Sequence, residues 1–120
     1  MGEGALPATL YGIRNCDTMK KAWTWLDQHG VSYEFHDYKK AGIDRPTLER
    51  WASQVGWEVL LNRGGTTFRK LPDADKQAID QDKAIALMLD QPSMIRRPVL
   101  DLEGRLVVGF KPEAYVALAF

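Results

Sequence analysis

At 120 residues, 45% apolar and 27% charged, the chain has the size and composition of one folded domain rather than of a disordered segment. Lys plus Arg and Asp plus Glu each number 16, and the zero net charge removes any global electrostatic basis for binding DNA, RNA or an anionic membrane. A single cysteine excludes an internal disulfide and suits a reducing cytoplasm, and no apolar run reaches the roughly 18 residues of a membrane helix.

In chain order, Met1-Gly2-Glu3-Gly4-Ala5 lacks the basic and apolar regions of a signal peptide and reads as a loose leader, with the domain expected over 6–120. Ala8-Thr9-Leu10-Tyr11-Gly12 reads as a first strand ending at Gly. A tight loop, Ile13-Arg14-Asn15-Cys16, leads to a helix predicted from about Asp17 to His29. Its apolar positions Met19, Ala22, Trp23 and Leu26 recur every three or four residues, and Gly30 stops it. Tyr33 to Tyr38 alternates as a second strand does. Strand, helix and strand in this span predict a βαβ unit with parallel strands.

The middle of the chain reads differently. Arg45-Pro46 opens a helix with Leu48, Trp51, Ala52 and Val55 on one face, and Gly56 ends it. A short apolar stretch, Val59-Leu60-Leu61, precedes Asn62-Arg63-Gly64-Gly65. A further helix is predicted over Gln81 to Asp90, with Ile85, Met88 and Leu89 inward. No strand is expected between Asp44 and Gln91, so about 44–91 reads as a helical insertion. The end returns to strands at Pro98–Leu102 and Arg105–Gly109, joined by a turn at Glu103-Gly104. Lys111-Pro112-Glu113 opens a last helix, with Tyr115 and Leu118 facing in. The order βαβ…ββα is an α/β, thioredoxin-like mixed sheet with an inserted helical subdomain.

Cys16 stands between the first strand and the first helix. There the free N–H groups and partial positive charge of a helix start favour thiolate over thiol. Arg14 and Lys20 would add to that effect and Asp17 would oppose it. The alternative is a small residue filling space. Arg97 precedes Pro98, a candidate for a cis peptide at the head of a strand. In a thioredoxin-like fold that turn faces the cysteine loop and aims the five-donor guanidinium at an anion beside the sulfur. Taken alone, Arg97 reads more readily as a solvated side chain at a strand edge. Lys111 before the last helix and Arg63 before Gly64-Gly65 are further cations for an anion site, or simple surface charges. His29 and His36 have no second ligand at metal spacing, so no metal is expected. The tryptophans read as packing. Gly64-Gly65 lacks the GK[ST] ending of a P-loop.

Three segments carry a resemblance: Leu10 to Ala22 around Cys16, Arg63 to Leu71, and Ile95-Arg96-Arg97-Pro98-Val99. With these the chain resembles the ArsC/Spx/YffB family of thioredoxin-fold proteins, over nearly all of its length after the leader. The resemblance implies a cytoplasmic, glutathione-dependent thiol or arsenate-type oxidoreductase. In the glutathione-linked arsenate reductases of that family a cysteine attacks arsenate, three arginines bind the oxyanion, and glutathione and then glutaredoxin follow. Carried over, the nucleophile is Cys16 and the arginine before the proline is Arg97. The first arginine slot falls on Asn62, with Arg63 beside it, and the last on Lys111. Gly12 stands in the place of a histidine, and Met19 in the place of the second cysteine of some Spx regulators. The resemblance therefore implies a reductase acting through Cys16. Arg97, Arg63, Lys111 and Arg14 would hold glutathione or another small thiol, and glutaredoxin would be a partner. The alternative it offers is a Spx-like transcriptional regulator that binds RNA polymerase.

Overall fold

The computed structural model describes residues 8–14, 16–102 and 105–117. The expected leader, Leu6, Asn15, the turn at Glu103-Gly104 and the inward Leu118 lie outside these. Two compact units make up the chain: one from the segments up to Tyr38 and from Arg97 onward, the other from Lys39–Arg96.

The first unit is built on a four-stranded sheet of order β2-β1-β3-β4. Strand β1 (Thr9–Gly12) runs parallel to β2 (Glu34–Asp37), and helix α1 (Asp17–Gln28) is the crossover between them. Strand β3 (Val99–Leu102) is antiparallel to β1 and to β4 (Arg105–Val108). All four residues of β3 are buried, as befits a strand covered on both faces. Helix α1 turns Met19, Ala22 and Leu26 to the sheet, one stripe at three- and four-residue spacing, while Trp23 is half-buried at its margin. These side chains pack with Ala8, Leu10, Leu100, Leu102 and Tyr115 into one core. Gly30, at φ +68, takes the left-handed conformation that ends the helix region without a side-chain penalty.

The registers fix which ends of the strands meet. Gly12 pairs with Asp37, Tyr11 with Val99, and Val99 with Val108. The carboxyl ends of β1, β2 and β4 and the amino end of β3 therefore share one sheet edge. The segments that leave or enter there carry Cys16, Tyr38, Arg97 and Lys111. Tyr38, expected to close the second strand, instead opens a single helical turn, α2 (Tyr38–Ala41).

The second unit is helical. Asp44 caps α3 (Arg45–Val55) by accepting the Thr47 N–H at 2.9 Å, and Leu48, Trp51 and Ala52 are buried, with Val55 only half-buried. Gly56 (φ +89) breaks the chain direction into α4 (Trp57–Leu60). A turn then leads to α5 (Thr66–Arg69), and Asp80 caps α6 (Gln81–Asp90) by accepting the Lys83 N–H at 2.9 Å. Helix α6 buries Ala84, Ile85 and Met88, while Leu89 is half-buried. Among the described residues of this unit one isolated bridge, Leu61 to Ile95, stands where no strand is expected. The sequence reading leaves α4 and α5 out because a four-residue turn is too short to show helical periodicity. Helix α7 (Pro112–Val116) closes the first unit with Tyr115 buried.

Candidate active site

Cys16 is the N-cap of α1, with extended backbone at φ −145 and ψ 130. Its amide donates to the Arg14 carbonyl at 3.2 Å, and its carbonyl accepts from Lys20 N–H at 3.1 Å as the first turn closes. The thiol is half-buried. A short polar side chain here would normally close a cap hydrogen bond. The sulfur closes no such cap bond, but the Met19 and Thr18 N–H groups bear on it as the positive end of the helix. Partial burial pushes the Cys16 thiol up. The Met19 N–H, the Arg97 side chain, the Thr18 N–H and the Arg97 charge together outweigh that and hold it below the ordinary thiol value.

Arg97 enters this edge through a cis Arg97–Pro98 peptide, and the Pro98 carbonyl accepts the Gly109 N–H at 2.8 Å. Partial burial opposes its charge, but the neighbouring Cys16 and Tyr38 side chains favour the guanidinium and raise its pKa. Arg96, one residue earlier, is exposed and is the last residue of the second unit, where its Nε donates to the Val59 carbonyl at 3.0 Å. Of two consecutive arginines, only Arg97 reaches the sulfur.

The other cations expected from the sequence are placed as follows. Arg14 is exposed, with its guanidinium 5.2 Å from the centre of the Phe35 ring. Lys111 is exposed at the N-cap of α7, three residues beyond β4 on the same sheet edge as Cys16. Arg63 belongs to the second unit, exposed in the turn before α5, with its guanidinium 5.6 Å from the Trp57 ring centre. Among the described residues no grouping of three His, Cys, Asp or Glu could hold a metal ion. No described helix is long and apolar enough to cross a membrane.

Two residues to which the sequence reading gave no part in the site belong to this edge. Tyr38 is fully buried and its phenol meets the Arg97 guanidinium. Burial, with the charges of Cys16 and Asp37, pushes the Tyr38 phenol well above its usual range against the pull of Arg97. The available signal was its place just past the carboxyl end of a parallel strand, where α/β sheets gather their functional groups. Gly12 is the second. A Cβ there would collide with the Met19 thioether, whose Cε lies 2.6 Å from that position. The two departures noted in the sequence are thus one packing unit: Met19 fills the space over Gly12.

The family model for the ArsC family matches residues 11–118. The chain belongs to the ArsC family. Among solved structures, that of the YFFB protein is 64% identical, covers 92% of this chain and 96% of its own, and superposes with a TM-score of 0.90. An arsenate reductase (ArsC) related protein from Brucella melitensis is 58% identical over 97% of both chains, with a TM-score of 0.77. Among curated relatives, an uncharacterised protein of Haemophilus influenzae is 38% identical over 91% of this chain and 96% of its own. The global transcriptional regulator Spx of Streptococcus mutans is 28% identical over 88% of this chain and 77% of its own. A glutaredoxin from Archaeoglobus fulgidus, at 16% identity and TM-score 0.51, shares the fold alone and places this ArsC-family chain among thioredoxin-like folds.

Proposed function

We propose that this ArsC-family protein is a thiol-dependent reductase that uses glutathione as co-substrate and Cys16 as its nucleophile. One observation carries the reading: the Cys16 sulfur lies at the start of α1 with the Arg97 guanidinium beside it, an environment that favours thiolate. The step it fits is attack on a disulfide RS–SG. The thiolate forms a Cys16–S–SG bond as the RS–SG bond breaks, and RS⁻ leaves and takes a proton from water. The chain has one cysteine, so an external glutathione thiolate then attacks Cys16–S–SG. That releases the Cys16 thiolate and glutathione disulfide. The RS sulfur is reduced to a thiol and the external glutathione sulfur is oxidised, while the other glutathione sulfur stays at the disulfide level throughout. Arg97, with Lys111 and Arg14, would hold the carboxylates of glutathione and balance the charge at the sulfur.

Arsenate is the weaker substrate on this reading. Asn62 and Lys111 stand where the resemblance places two of three oxyanion-binding arginines, and lysine cannot grip two oxygens in one plane. The test is turnover of a small glutathione mixed disulfide and of arsenate, each with glutathione and glutaredoxin supplied. Disulfide turnover dependent on Cys16, with little arsenate turnover, is the expected result. Efficient arsenate turnover beside slow disulfide turnover would reverse the assignment.

The 28% identity to Spx favours a second reading, a transcriptional role through RNA polymerase. Retention of this protein on immobilised polymerase, undiminished in Cys16→Ser, would favour that reading over the reductase.

A further inference from the structure

Tyr38 is completely buried, yet it stands at the working edge of the sheet, one residue beyond Asp37, the register partner of Gly12. Arg97 arrives at that edge from the other side of β1, since Val99 pairs with Tyr11. The phenol and the guanidinium meet there. A buried hydroxyl needs a partner. Among the described residues the buried side-chain oxygen or nitrogen left without one is the Tyr115 hydroxyl, not that of Tyr38. Arginine has five donors and no acceptor, so Tyr38 Oη accepts from Arg97, while another Arg97 N–H is directed to the Cys16 sulfur.

We propose that Tyr38 is a positioning residue whose neutral phenol holds the Arg97 guanidinium against the Cys16 thiolate. This rests on the reading of Cys16 as a thiolate nucleophile. A long arginine side chain loses much rotamer freedom when it is fixed, and a partner on its far side takes up part of that cost in advance. A carboxylate in the same place would fix the guanidinium equally well but would cancel its charge toward the sulfur. A phenol that stays protonated fixes it and leaves the charge intact. The other charged groups near this edge are Asp17 in the first turn of α1, Asp37 at the end of β2, and the exposed Arg14, Lys20 and Lys111.

The test uses the full chain and Tyr38→Phe, which keeps the ring and deletes the hydroxyl. The readout is the alkylation rate of Cys16 against pH, with thermal melting alongside. Loss of one hydrogen bond, transmitted in part to the sulfur, should slow alkylation about threefold at a pH below the midpoint and shift that midpoint upward. In an Arg97→Gln background the same substitution should change nothing further, because its effect runs through Arg97. An unchanged profile in the wild-type background overturns the proposal, and so does an equal shift in both backgrounds. A midpoint at the free-thiol value in the unmodified protein overturns the nucleophile reading and this inference with it. A lowered midpoint that Tyr38→Phe leaves in place overturns this inference alone. A measurement on the unmodified protein needs no variant to fold: nitrogen-15 NMR should resolve guanidinium protons of Arg97 that exchange slowly with water. A single averaged, fast-exchanging Arg97 signal would contradict the clamp.

Discussion

Replacing Arg97 with Gln removes the charge beside Cys16 but keeps a side chain of similar reach. In the structure the Arg97 side chain acts on the sulfur twice, by a hydrogen bond and by its charge. A charge-assisted hydrogen bond contributes about 1.5–3 kcal/mol, and one pKa unit corresponds to about 1.36 kcal/mol. The expectation is thus a rise in the Cys16 midpoint, since the thiolate loses that support. The sulfur is only half-buried, so water screens part of that interaction and the lower bound of about 1.5 kcal/mol sets the size of the effect. Arg97→Lys, which keeps the charge and loses the planar donors, should give a smaller rise. Arg96→Gln should give none, because Arg96 is committed to the Val59 carbonyl. The assay is iodoacetamide alkylation as a function of pH, and with one cysteine in the chain every modified thiol reports Cys16. Below the midpoint the Arg97→Gln rate should fall about tenfold relative to wild type. An unchanged midpoint in Arg97→Gln, or an equal rise in Arg96→Gln, would refute the assignment of Arg97 to the sulfur.

Gly12→Ala should destabilise the fold by about 1–3 kcal/mol in urea unfolding, because the new methyl group must displace the buried Met19 thioether from a filled core. A neutral result would mean that Met19 repacks freely. Tyr38 and Tyr115 are both buried with phenols pushed above their ordinary value, burial being the first cause in each. Their folded pKa values lie above the unfolded value of about 10, so their contribution is fully present below that pH and is lost as pH rises toward the folded values. Unfolding midpoints should therefore drop above about pH 10, and Tyr38→Phe should flatten that drop. The Cys16 contribution has the opposite sign: its folded pKa is lowered, so its stabilisation is present above the free-thiol value and is lost as pH falls through the folded one. Cys16→Ser should remove that component of the pH dependence.

Much of this edge was legible in the residues themselves. The stripe Met19, Ala22 and Leu26 announced α1, and the short β-forming run ending at Gly12 announced β1. Together they place Cys16 at a helix start. The pair of strands around 103–104 followed from two short β-forming runs. The role of Tyr38 was not legible in this way. Alternation along β2 assigned it to the strand, whereas its function depends on Arg97, which is far off in sequence and adjacent only through the β1–β3 register. Gly12 and Met19 read as two separate departures from a family pattern, and only packing joins them. In the second unit, Trp57–Leu60 and Thr66–Arg69 each make one helical turn, and their periodicity is too short to separate from a loop.

The most direct test of the reductase reading is capture of the covalent intermediate. The reduced protein is mixed with glutathione disulfide near neutral pH, quenched with acid at intervals, and weighed by mass spectrometry. A Cys16–glutathione adduct should form rapidly, disappear when reduced glutathione is added, and be absent in Cys16→Ser. A protein that stays unmodified while a free cysteine peptide reacts at its ordinary rate would contradict the assignment of Cys16 as a glutathione-linked nucleophile.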